Sequence, residues 1–130
     1  GYPSTTCVHQ PTGGQSLVAE ANGDVYACDH FVYPEYKVGN LTQQPLTEIV
    51  FSSKQQQFGL EKSQKLTALC RHCEFRKLCY GGCPKHRFVS LENEPNPHNY
   101  LCASDRYYFE QTAPYMQAMA RQIRLHPSAA

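Results

Sequence analysis

The seven cysteines constrain this chain more than any other feature of its sequence. Four of them lie within fourteen consecutive positions: Cys70, Cys73, Cys79 and Cys83. The other three are Cys7, Cys28 and Cys102. The spacing of the four, C-x2-C, five residues, then C-x3-C, allows their thiolates to converge on one metal centre without joining distant strands. An odd total fits a disulfide framework poorly, so we interpret the cysteines as metal ligands.

The spacing favours iron–sulfur clusters over zinc. Cys83 precedes Pro84, and in two-cluster ferredoxins the last cysteine, followed by proline, ligates the other cluster. Seven thiolates would complete one site of four and leave a second site one ligand short. Structural zinc is the rival, since C-x2-C is usual for zinc, although C-x5-C and C-x3-C are less so. Metal-free cysteines that only pack or form adventitious disulfides are the third alternative.

Composition indicates one domain with a thin core. The chain has 130 residues, a net charge of +1, no Trp and a mean hydropathy of -0.56. Residues 1–130 should therefore form a single domain that needs help beyond apolar burial. The small net charge predicts no nucleic-acid partner, and the lack of a long apolar run predicts no membrane span and no signal peptide. Without a secretory signal, we expect a reducing compartment, the cytoplasm.

Charge is unevenly distributed along the chain. Residues 1–53 have a net charge of -4, whereas residues 54–87 have +6, from eight bases and two acids. The basic segment contains four of the seven cysteines. A cluster held by four thiolates is an anion, so these cations would lower the cost of burying it. A solvated basic face is the alternative interpretation.

Hydrophobic periodicity predicts a small, loop-rich α+β fold. Apolar and polar residues alternate around Asn22-Gly23, which predicts a β-hairpin over 16–28 with a two-residue type I′ turn and with Cys28 at its end. Residues 31–44 should form a loop, followed by short helices near 45–52 and 53–60. A C-terminal helix, capped by Ser104 and kinked or split by Pro114, is predicted to bury one face. That face comprises Tyr108, Thr112, Tyr115, Met119 and Ile123.

The order of the cysteines resembles that of the SPASM domain, the C-terminal part of a set of radical SAM enzymes. The matching pattern is Cys7, fifteen residues, Gly23, four residues, Cys28, then C-x2-C-x5-C-x3-C over 70–83, and finally Cys102. Within that group, the segments CDHFVYP from residue 28 and CYGGCPK from residue 79 look most like the anaerobic sulfatase-maturating enzymes.

The resemblance implies two auxiliary 4Fe-4S clusters. The first would be held by Cys7, Cys28 and Cys83. The second would be held by Cys70, Cys73, Cys79 and Cys102. Sulfatase maturases carry an eighth cysteine, six residues after the first, where this chain has Gly13. The first cluster would then keep an open iron site, take a non-cysteine ligand such as His9, or fail to assemble. Zinc could substitute for iron.

The resemblance also implies a reaction. In this family a 5′-deoxyadenosyl radical removes a hydrogen from Cβ of a sulfatase Cys or Ser, a base takes the side-chain proton, and an electron leaves through the auxiliary clusters. The product is Cα-formylglycine. Asp29 matches the carboxylate that acts as the base, and its pKa should be raised beside an anionic cluster. Capping of a strand end is its alternative role.

Two partners are implied, because the chain lacks the part that cleaves S-adenosylmethionine. The C-x3-C-x2-C motif of radical SAM enzymes is missing, and no pattern of alternating strands and helices precedes Cys7. We therefore expect the chain to be the detached C-terminal part of a maturase, inactive by itself. Its partners would be an N-terminal radical SAM domain, which supplies S-adenosylmethionine chemistry in the full-length enzyme, and a sulfatase polypeptide.

Overall fold

The computed structural model describes residues 4–125, which form two small antiparallel sheets and a set of helices. The strands are β1 (Val18–Ala19), β2 (Asp24–Tyr26), β3 (Lys37–Asn40), β4 (Arg87–Val89) and β5 (His98–Asn99). The helices are α1 (Leu46–Val50), α2 (Ser53–Gln64), α3 (Ala68–His72), α4 (Arg76–Cys79) and α5 (Cys102–Leu125). Single 3-10 turns cover Cys7–His9, Pro34–Tyr36 and Pro84–His86. These elements confirm the predicted small α+β class.

The predicted hairpin is present, but its turn differs from the prediction. β1 and β2 pair antiparallel, and the Glu20 N–H donates to the Asp24 carbonyl at 2.8 Å. This pairing leaves three residues in the connection. Gly23, the last of them, has a φ of +86°, as in three-residue hairpin loops that end in a left-handed glycine. Asn22 has no positive φ, so the predicted type I′ turn is wrong.

A third strand occupies part of the segment predicted to be a loop. β3 pairs antiparallel with β2, so the order in the sheet is β1-β2-β3. Position 39 of this strand suits glycine because a Cβ there would come within 2.7 Å of the Ile49 side chain of α1. The buried Asn40 amide donates to the Asp24 carboxylate at 2.7 Å and holds β3 against β2. The loop prediction is therefore wrong over β3, where Gly-Asn was mistaken for a turn.

The apolar core between the three-stranded sheet and α1 is small. It consists of Val25, Ala27, Val38 and Ile49, with Leu17 and Phe58 packed against it. In the described part of the chain, the buried hydrophobic residues outside this cluster are Leu66, Cys28 and Cys83. The core is as thin as the composition indicates, and two predicted metal ligands belong to the interior.

Both short helices predicted after the loop are present, and the second continues about one turn further than predicted. The Ser52 hydroxyl caps α2 by accepting a hydrogen bond from the Gln55 N–H at 3.2 Å. The buried Gln55 amide donates to the carbonyls of Gly14, at 2.6 Å, and Ala27, at 3.1 Å. Helix α2 thereby joins the N-terminal segment to the sheet.

The C-terminal helix is continuous and begins earlier than predicted. It starts at Cys102 rather than after Ser104, and it passes through Pro114 without interruption, so the predicted split is absent. The early start gives Cys102 a fixed place at a helix end. Across residues 4–125, no helix combines the length and hydropathy needed to cross a membrane.

The face of α5 predicted to be core is mostly exposed. Relative exposure is 62% for Tyr108, 74% for Tyr115 and 61% for Ile123. The helix instead packs through Phe109, whose ring centroid lies 5.6 Å from that of Phe75. Helical periodicity identified the apolar stripe correctly but not what covers it, so the prediction of burial is wrong for this structure.

Candidate metal centres

Four of the predicted ligands line one cavity. Cys70 lies in α3, Cys73 directly follows that helix, Cys79 ends α4 and Cys102 begins α5. Their side chains line a cavity of about 530 Å³. The fold thus brings together the four thiols predicted for the second cluster, and this donor set fits an iron–sulfur cluster, which takes four thiolates.

The loop after α4 depends on a run of left-handed residues. The φ values are +48° at Tyr80, +72° at Gly81 and +64° at Gly82. A Cβ on Gly81 would lie 2.5 Å from the Leu66 side chain, and a Cβ on Gly82 would lie 2.4 Å from that of Asn99. Both glycines therefore combine a positive φ with close neighbours, and together they turn the chain sharply between Cys79 and Cys83.

Cys28 and Cys83, predicted for the first cluster, are both buried and share one neighbourhood. Burial, together with the hydrogen bond and charge of Asp29 and the charge of Cys83, raises the pKa of the Cys28 thiol to about 11. The Cys83 Sγ lies 3.5 Å from the His30 Nδ1. Residues distant in sequence therefore meet at the end of the hairpin.

Cys7 is connected to this region through a buried lysine. It lies in the first 3-10 turn, where the Lys62 ammonium of α2 donates to the carbonyls of Cys7, Val8 (3.0 Å) and Gln10. Lys62 is only 2% exposed. Burial, followed by the charge of Arg87, lowers its pKa to about 8. Lys62 therefore anchors the segment that carries Cys7.

A second cation, Arg87, lies between the two groups of cysteines. Its guanidinium donates to the carbonyls of Tyr80 (2.9 Å), Gly81 (3.1 Å) and Lys62 (2.8 Å). Burial lowers its pKa, while negative charge on nearby thiolates opposes that shift. These thiolates are Cys70, Cys79 and Cys83. Arg87 thus braces the left-handed loop and places positive charge beside thiols of both predicted sites.

Both interpretations of the basic segment apply, each to a different set of its residues. Lys62 and Arg87 lie among the cysteines, as expected for cations that lower the cost of burying an anionic cluster. The exposed members form a solvated face: Lys54, Lys65, Arg71, Arg76 and Lys77. The sequence contained no signal that distinguished the two groups, because all are basic and closely spaced.

Asp29 lies exposed at the edge of the first site. Its backbone N–H donates to the Ser16 carbonyl at 3.1 Å, and the Cys28 thiol donates to its carboxylate at 3.2 Å. That hydrogen bond is the main cause of a lowered Asp29 pKa. The expected raised pKa refers to a carboxylate beside a bound anionic cluster, where Cys28 as a ligand would carry no proton, so it stays a prediction.

Two histidines that the sequence analysis did not select lie against predicted ligands. His30 adjoins Cys83, as described above, and the buried His98 lies 3.7 Å from the Cys70 Sγ and 2.9 Å from the Thr67 hydroxyl. His9, the candidate that sequence suggested, contacts the Leu78 carbonyl at 3.2 Å. The only sequence signal for His30 was its position two residues after Cys28.

No disulfide joins the seven cysteines, all of which lie within residues 4–125. Cys28 and Cys83 are buried, and the other five are half-buried. The structure therefore offers these thiols as ligands and provides no support for a disulfide framework.

Replacing Lys62 with Met should lower the free energy of unfolding by about 2 kcal/mol, because three carbonyls lose a charged donor and buried unsatisfied acceptors are costly. Urea unfolding measures the change. Lys65→Met is the matched control, since the exposed Lys65 pairs only with Glu61 and such pairs contribute little. Equal effects of the two substitutions would contradict the anchoring role.

The fold and its two groups of thiols define a small cluster-binding domain. SPASM, described as an iron–sulfur cluster-binding domain, matches residues 7–74. The chain belongs to the SPASM family. The resemblance inferred from cysteine order is thereby confirmed.

Relatives with curated names are anaerobic sulfatase-maturating enzymes. The serine-type enzyme of Bacteroides thetaiotaomicron is 46% identical over 124 residues, which cover 95% of this chain and 30% of that protein. The cysteine-type enzyme of Clostridium perfringens is 31% identical over 121 residues, or 93% of this chain and 32% of that protein. The chain thus spans about a third of the length of these relatives.

Solved structures share the fold. Native anSMEcpe with bound AdoMet and Kp18Cys peptide superimposes with a TM-score of 0.77 at 31% identity, over 92% of this chain and 33% of that one. Native anSMEcpe with bound AdoMet gives a TM-score of 0.76 at 30% identity, over 91% of this chain and 32% of that one. The α+β architecture is therefore that of the corresponding part of these structures.

Proposed function

We propose that this domain holds two 4Fe-4S clusters and serves a longer radical SAM sulfatase maturase, in which a Cys or Ser side chain of a sulfatase is oxidised to Cα-formylglycine. The single observation that carries this proposal is the cavity lined by four cysteines from three helices and one adjoining loop. The second cluster would be held there by Cys70, Cys73, Cys79 and Cys102. The first would be held by Cys7, Cys28 and Cys83.

The surroundings of both sites support a bound anion. Lys62 and Arg87 place two cations within the influence of thiols from each set. The left-handed loop over residues 80–82 brings its backbone close to the same cysteines. When bound, the clusters would supply one-electron redox capacity. Their cysteine ligands must be reduced, so we propose that this chemistry takes place in the cytoplasm, a reducing compartment.

Asp29 supplies the remaining chemical group that the reaction needs. Its carboxylate is exposed, and therefore reachable by a substrate, while its backbone N–H is held by the Ser16 carbonyl. In the proposed role it accepts the proton of the substrate thiol or hydroxyl. A pKa raised by the anionic first cluster would suit a base that works near neutral pH.

The partners follow from the extent of the chain relative to its relatives. We propose that a radical SAM domain of the same enzyme binds S-adenosylmethionine and that a sulfatase polypeptide is the substrate. The solved relative with a bound Kp18Cys peptide supports a peptide substrate. The exposed carboxylate of Asp29 would then face that polypeptide.

Anaerobic reconstitution tests the proposal. The wild-type chain should contain about eight iron atoms and absorb broadly near about 400 nm. Cys102→Ser should lose about four of these irons, whereas Ala103→Ser, at the adjacent exposed position, should lose none. Zinc without iron or sulfide would instead establish the alternative, a zinc-stabilised binding module, and a metal-free folded protein would contradict both.

A further inference from the structure

The first site has three thiols for a cluster that takes four protein ligands. Gly13 occupies the position where sequence comparison led us to expect the fourth. Among the described residues, the turn that follows Cys28 offers further donor atoms. There, ligand atoms of Cys28, Asp29 and His30 all lie within 4.8 Å of one another.

His30 is flanked by two of the proposed ligands. Its Nδ1 lies 3.5 Å from the Cys83 Sγ, and Cys28 is two residues before it in the same turn. The turn is closed by a hydrogen bond of 2.9 Å from the Phe31 N–H to the Cys28 carbonyl. The imidazole is therefore presented between thiols that come from separate parts of the chain.

The loops that carry His30 and Cys83 are tied together independently of any metal. The Lys85 ammonium, two residues after Cys83, donates to the Tyr33 hydroxyl and lies 4.2 Å from the centroid of that ring. It also lies 5.3 Å from the centroid of Phe31. These contacts hold the turn that carries His30 beside the segment that follows Cys83.

We propose that His30 is the fourth protein ligand of the first cluster, so that this site consists of Cys7, Cys28, Cys83 and His30. The inference rests on the proposed function, because it requires that the first site hold an iron–sulfur cluster. Imidazole is an accepted iron ligand, and Rieske centres use histidine in place of cysteine. A neutral ligand in place of a thiolate raises the reduction potential, which suits a centre that accepts an electron.

Two competing ligands are disfavoured by their contacts or their chemistry. His9 makes its Nδ1 contact with the Leu78 carbonyl, and its ring packs edge-on against Phe109 at 6.3 Å between centroids. Asp29 is disfavoured by its chemistry instead, because iron–sulfur clusters are held by thiolate and imidazole rather than by carboxylate in the usual cases. His30 has no such competing contact with a backbone carbonyl among its described hydrogen bonds.

A cysteine introduced at position 13 provides a rescue experiment that distinguishes the loss of a ligand from a failure to fold. A Cβ on Gly13 would meet only the Lys62 side chain, at 3.9 Å, and Gly13 needs no positive φ. Lys62 in turn hydrogen-bonds the Cys7 carbonyl. A cysteine at position 13 is therefore sterically tolerated and lies next to the segment that carries Cys7.

The test is pulsed electron paramagnetic resonance on the reduced, reconstituted chain, with histidine labelled by a heavier nitrogen isotope, combined with iron analysis. The wild type should show hyperfine coupling to a histidine nitrogen. His30→Ala should lose this coupling and up to about four irons, while His9→Ala and Asp29→Asn keep both. His30→Ala combined with Gly13→Cys should recover the iron but not the nitrogen coupling.

Each contrary outcome has a distinct meaning. A wild type with two clusters and no histidine coupling overturns the ligand assignment but leaves the proposed function intact. Loss of iron in Asp29→Asn or His9→Ala instead of His30→Ala also overturns it, as does a wild type that binds only one cluster. Absence of any iron–sulfur cluster contradicts the proposed function itself.

Discussion

Asp29→Asn, introduced into the longer maturase that contains this domain, should reduce Cα-formylglycine formation by about 10²-fold or more, the usual scale for a general base. Asparagine has nearly the same shape as aspartate, but it cannot take up a substrate proton. Cleavage of S-adenosylmethionine and the iron content should be unchanged. Formylglycine and 5′-deoxyadenosine are measured in the same reaction.

A neighbouring carboxylate provides the matched control for this substitution. Glu35 is exposed in the 3-10 turn that follows the same loop, so Glu35→Gln removes an equal charge without touching Asp29. It should turn over like the wild type. If Asp29 only caps the end of the hairpin, activity should instead fall in proportion to lost iron, and full turnover in a cluster-replete Asp29→Asn enzyme would exclude the base assignment.

Removal of the metal should abolish cooperative unfolding, because the apolar core cannot hold the chain together alone. The buried cluster of the sheet contains four residues, Val25, Ala27, Val38 and Ile49. The region around Cys70 to Cys102 has short helices and strands that converge on the cavity rather than on a second apolar core. Metal binding adds directly to folding free energy when the site exists only in the folded state. Thermal unfolding followed by circular dichroism should show a transition in loaded protein and none after chelation.

The sharpest control for this experiment is chelator treatment of Cys102→Ser. Before chelation, this variant should have a lower transition temperature than the wild type. Chelation should then change its thermal unfolding less, since one of its sites is already incomplete. Ala103→Ser should behave like the wild type in both states. An unchanged cooperative transition in fully metal-free protein would contradict the dependence on metal.

Local sequence patterns predicted those elements whose structure depends on neighbouring residues. The hairpin and the short helices after the loop both involve contacts over a few positions. The errors arose where distant residues intervened. Gly39 looked like part of a turn, but it serves a strand that must pass close to Ile49. The turn type at Asn22 was likewise decided by the pairing of Glu20 with Asp24.

The candidate site could likewise be predicted from the sequence only in part. The C-x2-C-x5-C-x3-C spacing predicted that local thiols would be neighbours, and Cys70, Cys73 and Cys79 do line one cavity. The fourth thiol of the motif, Cys83, lies instead beside His30, and Cys102 at the start of α5 completes the cavity. Only the tertiary structure revealed which cations accompany them, since Lys62 and Arg87 look like the other bases of an unusually basic segment. It also placed His30 beside Cys83, 53 residues later in the chain. Sequence by itself could not predict this contact, because it depends on how the end of the hairpin packs against the left-handed loop between Cys79 and Cys83.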